Sequence, residues 1–82
     1  MKITVLYFAK ARDLAGVGEE RVEFAAEPPT LKALMSQLSA LHPPLGGTLE
    51  RMRVARNESF AELDELVVEN DVVALIPPVA GG

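Results

Sequence analysis

The hydrophobic pattern is clearest at the two ends of the chain. Residues 2–8 are mostly β-branched or aromatic, so that odd-numbered side chains share one face of a strand and even-numbered ones share the other. Residues 72–76, Val-Val-Ala-Leu-Ile, form a continuous apolar run of the kind found in central strands. The turn before this run contains Asn70, and asparagine tolerates the left-handed conformation that tight turns need. We therefore predict that the first and last strands both lie inside one sheet.

One long helix is predicted between these strands. Four leucines recur at spacings of three, four and three residues and so fall on one stripe of a helix: Leu31, Leu34, Leu38 and Leu41. Thr30 stands at the position of an amino-terminal cap. His42-Pro43-Pro44 ends the helix, because the residue before a proline resists helical geometry.

The remaining segments predict shorter elements. Residues 9–16 form a helical turn or loop, and residues 20–25 alternate as a second strand that the following prolines end. Residues 45–52 have no clear periodicity and are expected to be irregular. Residues 53–56 read as a short strand, followed by a turn and a second extended piece around Phe60.

A sheet with one helix keeps one face uncovered. Val73 and Leu75 are expected to lie against the helix, which leaves Val72, Ala74 and Ile76 on the open face. Strand alternation places Phe8 on that open face as well. An uncovered apolar patch on a small protein often marks a partner-binding surface.

Composition limits the class of protein. The chain has 82 residues, of which 49% are hydrophobic and 24% charged, so we expect one folded domain over residues 1–82. The net charge of −4, without a block of either sign, disfavours nucleic-acid binding. The absence of cysteine excludes disulfides, thiolate catalysis and thiolate-ligated metals. No apolar run approaches the about 20 residues of a membrane span, and no signal-peptide pattern is present, so we expect a cytoplasmic protein without membrane contact.

Catalytic groups are scarce. His42 is the only histidine, and we expect it to be a solvent-exposed helix terminator at the negative end of the helix dipole. Ser36 and Ser39 are expected to face away from the leucine stripe, and no nucleophile is paired with a base. The sequence therefore predicts that the chain is not an enzyme on its own.

Two groups of charged residues resemble ligand sites only superficially. Five carboxylates lack the spacing of a calcium loop and predict a solvated acidic face: Glu62, Asp64, Glu65, Glu69 and Asp71. Three arginines lack a glycine-rich phosphate loop and predict surface charge: Arg51, Arg53 and Arg56. We expect neither a metal site nor a cofactor bound by the isolated chain.

The carboxyl terminus is the most distinctive segment. Pro77 and Pro78 cannot donate to a sheet and favour an extended chain, so residues 77–82 at about 3.1 Å each can project about 19 Å. Val79 and Ala80 are small, and Gly81 and Gly82 have no side chain. Such a tail is narrow enough to enter a channel in another protein.

The whole chain resembles the small subunit of molybdopterin synthase, a sulfur carrier. The matching residues are Val5-Leu6-Tyr7-Phe8-Ala9 with Arg12 and Gly16, Thr30-Leu31, Asn57, Asp71-Val72-Val73-Ala74 and the tail Ile76-Pro77-Pro78-Val79-Ala80-Gly81-Gly82. Three residues depart from the family pattern: Arg56, Asn70 and Val72. The resemblance implies an α+β fold of the β-grasp (ubiquitin-like) type, a mixed sheet with one main helix packed on one face and a projecting carboxyl-terminal tail.

The resemblance also implies a reaction sequence. An ATP-dependent adenylating enzyme would activate the terminal glycine, and a sulfur donor protein would convert it to a thiocarboxylate. The tail would then enter the large synthase subunit and give its sulfur to cyclic pyranopterin monophosphate. The implied assembly is a heterotetramer of two small and two large subunits.

Carried over residue by residue, the resemblance assigns Gly82 as the modified end and Gly81 as the slim residue behind it. Phe8, Phe60 and Ile76 would form the hydrophobic docking surface, and Arg12 would add a charged contact. The four residues that join this surface to the glycines would bind the partner along the tail: Pro77, Pro78, Val79 and Ala80.

Three alternatives remain open at this point. The chain can be a sulfur carrier for thiamine thiazole synthesis, which uses the same fold and glycine pair. It can be a protein modifier joined to lysines through Gly82. It can also be an interaction module whose tail has no function.

Overall fold

The computed structural model describes residues 1–23 and 29–78. Within these two ranges lie five strands and two α-helices: β1 (Lys2–Tyr7), α1 (Ala9–Ala15), β2 (Glu19–Glu23), α2 (Leu31–Leu41), β3 (Arg53–Arg56), β4 (Ser59–Phe60) and β5 (Val72–Ile76). The stretch expected to be irregular contains two single turns of 3-10 helix, Pro43–Leu45 and Leu49–Arg51. The predicted end of the second strand, residues 24 and 25, lies outside the described residues.

The described strands form one mixed sheet in the order β2-β1-β5-β3-β4. β1 and β5 are parallel, with Val5 opposite Val73, and the other pairs are antiparallel. The prediction that the first and last strands lie inside the sheet is confirmed. Their central position explains why both are the most apolar strands.

The core lies between one face of this sheet and α2. The described strands contribute seven buried side chains that share a face by alternation and register: Ile3, Val5, Tyr7, Val22, Val54, Val73 and Leu75. From α2, Leu31, Leu34, Met35 and Leu38 are buried against them. The expectation that Val73 and Leu75 face the helix is confirmed.

The prediction of the leucine stripe is wrong for one of its four members. Leu41 is 50% exposed. The buried stripe runs through Leu34, Met35 and Leu38, and its next position, four residues after Leu38, is His42. At about 3.6 residues per turn, the residue four positions after Leu38 lies closer to the buried face than the residue three positions after it. His42 therefore points inward, and Leu41 points to solvent.

Local signals set the element ends as predicted. The Thr30 hydroxyl accepts a hydrogen bond from the Ala33 backbone N–H at 3.1 Å, which caps α2. Gly16 ends α1 with a φ of +82°, in the left-handed region that glycine adopts without strain. Asn70 has a φ of +68° in the turn before β5, which confirms its predicted role. No helix in the described ranges is long and apolar enough to cross a membrane.

Candidate docking face and carboxyl-terminal tail

The uncovered face of the sheet carries a row of apolar side chains. The strand registers place Leu6 opposite Ala74, Ala74 opposite Ala55, and Ala55 opposite Phe60. Directly paired residues share a face, so this row crosses β1, β5, β3 and β4 on the side away from α2. We call this side of the sheet the docking face.

The docking face contains a shallow depression of about 290 Å³. Phe8, Val72 and Ile76 line it together with the row, and Glu58 is its one charged lining residue in the described part of the chain. Phe8 is 47% exposed and Phe60 is 65% exposed. Large aromatic side chains held at such exposure form an apolar surface suited to a partner protein. The predicted placement of Phe8 and Ile76 on the open face is confirmed.

Two tight connections hold the aromatic residues in place. Phe8 precedes α1 in extended conformation, and its N–H donates to the Leu75 carbonyl at 3.3 Å, which ties it to β5. Phe60 follows a two-residue hairpin turn in which Asn57 and Glu58 have φ values of +51° and +72°. Positive φ at both positions is the geometry of a type I′ turn, whose twist matches that of the paired strands.

The tail begins at the edge of the docking face. Ile76 ends β5 and lines the depression, and Pro77 and Pro78 follow it as the last described residues. The backbone therefore leaves the sheet beside the apolar surface. The predicted tail residues Val79, Ala80, Gly81 and Gly82 lie outside the described residues.

Arg12 lies apart from this surface. It is exposed on α1, and its side chain packs beside Gly18, where an added Cβ would lie 3.5 Å from Arg12 Nε. Arg12 is not among the residues that line the depression. The structure therefore does not bring Arg12 into the depression with Phe8, Phe60 and Ile76.

The predicted acidic face is wrong for Asp71. This carboxylate is buried, and it accepts hydrogen bonds from Arg56 Nε at 2.7 Å, the Val68 N–H at 2.8 Å and Asn57 Nδ2 at 2.9 Å. Burial opposes ionisation of Asp71, but the hydrogen bonds from Arg56, Val68 and Asn57 together outweigh it and lower the pKa of this carboxyl. Asn57 also accepts from the Val72 N–H at 2.9 Å, so this cluster joins the β3–β4 hairpin to β5.

The prediction for His42 is also wrong, because its side chain is only 18% exposed. His42 Nε2 and the Tyr7 hydroxyl both contact the same Glu20 oxygen at 2.5 Å. The Tyr7 and His42 rings pack edge to face, with centroids 5.7 Å apart. Burial, followed by the hydrogen bond to Glu20, raises the pKa of Tyr7. These residues lie on the core side of the sheet and not on the docking face.

The sequence did not reveal three contributors to the docking face: Ala55, Glu58 and Arg53. The Arg53 guanidinium carbon lies 4.8 Å from the centroid of the Phe60 ring. Such contacts depend on the register between β3, β4 and β5, and a short strand without clear alternation does not reveal its register. No group of three or more acidic or histidine side chains in the described ranges is arranged to hold a metal ion.

The sequence matches one protein family and several proteins of known name over nearly its full length. The model of the ThiS family matches residues 5–82. The molybdopterin synthase sulfur carrier subunit of Chlamydomonas reinhardtii is 38% identical, with all of both chains covered. The subunit of the same name from Escherichia coli K12 is 37% identical, over 98% of this chain and 99% of its own.

A solved structure has the same architecture. The crystal structure of small archaeal modifier protein 1 from Haloferax volcanii superposes over all of both chains with a TM-score of 0.90 and 28% identity. The mixed sheet, the covering helix and this match confirm the predicted β-grasp fold. This protein therefore belongs to the ThiS family and is a homologue of the molybdopterin synthase sulfur carrier subunits.

Proposed function

We propose that this protein is the sulfur carrier of a molybdopterin synthase and that the carboxyl group of Gly82 carries the sulfur. Full-length homology to two subunits of that name supports the role. The observation that carries the proposal is the position of Ile76, which ends β5 and also lines the docking face. A partner that covers this face therefore meets the base of the tail and can receive residues 77–82.

The chemistry requires activation of the tail by a second protein. A free α-carboxyl group has a pKa of about 3.5 and is ionised at neutral pH, which makes it a weak electrophile. We propose that an adenylating enzyme transfers AMP from ATP to the Gly82 carboxylate and releases pyrophosphate. A sulfur donor then delivers a nucleophile at the oxidation level of sulfide, which displaces AMP and leaves a thiocarboxylate. The carrier itself binds no cofactor in this scheme, and we propose that it acts in the cytoplasm, where ATP is available.

The large synthase subunit is the proposed acceptor of the loaded tail. The thiocarboxylate sulfur attacks a carbon of cyclic pyranopterin monophosphate and displaces an oxygen substituent, which takes up a proton as its bond to that carbon breaks. Water then hydrolyses the resulting thioester, which returns the Gly82 carboxylate and leaves the sulfur on the substrate. A dithiolene contains two sulfur atoms, so two loaded carriers are consumed for each product. A tethered sulfur is also held at high local concentration without release of free sulfide. The proposed assembly contains two small and two large subunits, and the small subunit supplies no catalytic group besides its terminus.

Intact-mass measurement tests this proposal. We expect the chain, co-expressed with the adenylating enzyme and the sulfur donor, to exchange one oxygen for sulfur at its end. A variant lacking Gly81 and Gly82 is the matched control and should gain no sulfur while it still binds the large subunit. An unchanged mass of the full-length chain under these conditions would contradict the proposal.

Complementation separates the two sulfur pathways. The gene should restore molybdoenzyme activity in a strain that lacks its own small subunit. Rescue of a thiamine auxotroph without rescue of molybdoenzyme activity would assign the chain to thiazole synthesis.

A second candidate function is protein modification. It is favoured by the likeness to small archaeal modifier protein 1, at a TM-score of 0.90. A modifier would form stable conjugates to lysines through Gly82, visible as a ladder of higher masses. Conjugates that disappear in the Gly81-Gly82 deletion, without any thiocarboxylate in the full-length chain, would favour the modifier over the carrier.

A further inference from the structure

Arg53 lies where the docking face meets the base of the tail. In the antiparallel register of β3 and β5 it stands opposite Ile76, the residue before Pro77. Its guanidinium carbon lies 4.8 Å from the centroid of the Phe60 ring. Both Arg53 and Phe60 are exposed, and alternation along β3 puts Arg53 on the same side of the sheet as Ala55.

The surroundings of Arg53 differ from those of Arg56 at the other end of β3. Arg56 donates to Asp71 at 2.7 Å and lies 3.6 Å from Glu65, so its charge is matched within the chain. Arg53 makes no ion pair with any carboxylate in the described ranges, and its guanidinium lies over the Phe60 ring. Stacking on an aromatic ring orients a guanidinium and leaves its N–H edge available to a further acceptor.

A partner that covers Phe60 and Ile76 also removes water from around Arg53. Burial of a charge without a partner is unfavourable, so the covering surface must supply an acceptor for the N–H edge. A carboxylate matches the guanidinium best because its two oxygens accept two parallel hydrogen bonds.

A phosphate fits this position less well. Arg53 and Phe60 also line a groove of about 540 Å³ between α2 and the β3–β4 hairpin. The other charged residues that line this groove are Lys32, Glu50 and Glu62. The two carboxylates offset the positive charge of Lys32 and Arg53 and oppose a multiply charged anion. One acidic side chain carries a single negative charge and is repelled less by Glu50 and Glu62 than a multiply charged anion.

We propose that Arg53 is a specificity-determining residue for docking and binds an aspartate or glutamate that the partner presents beside the opening for the tail. This inference rests on the proposed function, because it needs a partner on the docking face. It adds a charged contact to an otherwise apolar surface, so a partner with a basic residue at the same place is rejected.

Charge reversal tests the proposal. The dissociation constant for the purified large synthase subunit of the same organism is measured by calorimetry, at low and high salt, for the full-length chain and its variants. Arg53→Glu should weaken binding about tenfold or more at low salt, and the loss should shrink at high salt, because paired charges are screened. Arg51→Glu is the matched control: it makes the same change in net charge at an exposed arginine that lies outside β3 and, unlike Arg53, does not line the groove next to Phe60.

The variants separate a partner contact from a role within the chain. Arg53→Leu removes the charge but keeps an apolar side chain next to Phe60, so the proposal expects Arg53→Leu to bind more tightly than Arg53→Glu. Equal losses for Arg53→Leu and Arg53→Glu, independent of salt, would show that Arg53 only orients Phe60 and would overturn the proposal. So would equal binding of Arg53→Glu and Arg51→Glu. If the unaltered chain does not bind the large subunit, the proposed function fails and this inference fails with it, whereas failure of Arg53 alone leaves the proposed function intact.

Discussion

Tyr7 and Asp71 are buried titratable residues, and their surroundings shift the pKa of each side chain. Tyr7 stays protonated above its ordinary pKa of 10.0, because burial and the hydrogen bond to Glu20 raise its pKa. Asp71 is ionised despite its burial, because Arg56, Val68 and Asn57 donate to it and lower its pKa. The two residues therefore link folding to pH at opposite ends of the pH scale.

The effect of alkaline pH on Tyr7 can be measured by absorbance, because Tyr7 is the only tyrosine in the chain. The unfolded state releases the phenol proton near the ordinary pKa of 10.0, whereas the folded state retains it. The Tyr7 contribution to stability is therefore complete below pH 10 and falls above it, by about 1.4 kcal/mol per pH unit. We expect no tyrosinate absorbance in the folded protein near pH 10.5, and its appearance only on unfolding.

Tyr7→Phe provides the comparison for this prediction. The free energy of unfolding of Tyr7→Phe should depend less on pH between pH 9 and 11 than that of the unaltered chain. A normal tyrosinate titration in the folded protein would show that the Tyr7 hydroxyl is not held as described.

Asp71 links the stability of the fold to acid pH. Its folded-state pKa lies below the ordinary value of 3.8, so its contribution to stability is complete above that value and is lost as pH falls through the folded-state pKa. Asp71→Asn should lower the free energy of unfolding by about 1–3 kcal/mol at pH 7, because buried donors lose a charged acceptor. Urea unfolding should show a smaller difference between the two proteins below pH 3. Asp64→Asn changes an exposed carboxylate and serves as the control, with an expected effect within about 0.5 kcal/mol.

At the scale of elements, α2 illustrates how burial follows helix geometry rather than residue type. Leu34, Met35 and Leu38 face the sheet, and the last position on that face is occupied by His42, which contacts Glu20 of β2. Leu41, although leucine, projects to solvent. The polar contact of His42 therefore closes the end of the core that an apolar side chain was expected to fill.

Two alanine substitutions in α2 test whether Leu38 faces the core and Leu41 faces solvent. Leu38→Ala should lower the free energy of unfolding by about 2–5 kcal/mol, because it opens a cavity under the helix. Leu41→Ala removes the same atoms from the surface and should cost less than about 1 kcal/mol. Helix propensity changes equally in both variants, so chemical denaturation reports burial. Equal losses would mean that Leu41 packs in the core.

At the scale of the whole molecule, the two faces of one sheet have different tasks. The face against α2 holds the core, and the docking face carries exposed aromatic residues beside the start of the tail. β5 contributes to both, with Val73 and Leu75 on one side and Ala74 and Ile76 on the other. Under the proposed function, substitutions on one face should change stability, and substitutions on the other should change partner binding.

Phe60→Ala and Leu75→Ala should separate these tasks. Phe60→Ala should change the free energy of unfolding by less than about 1 kcal/mol, since the side chain is 65% exposed, but should weaken binding to the large synthase subunit about tenfold or more. Leu75→Ala should lower stability by about 2–5 kcal/mol. Thermal unfolding and calorimetric titration measure both quantities. Unchanged binding for Phe60→Ala would exclude it from the docking surface.

The sequence by itself determined the order of the main elements along the chain, the cap at Thr30, the end of α2 and the division of β5 into two faces. These features follow from short-range rules of alternation, capping and proline geometry, which act between residues close in the chain. Only the tertiary structure decided that Asp71 is buried, that His42 meets Glu20 and that Arg53 lies over Phe60. Each of these contacts depends on the register or packing of elements distant in sequence, and the energy of a polar side chain is set by the partner it meets there.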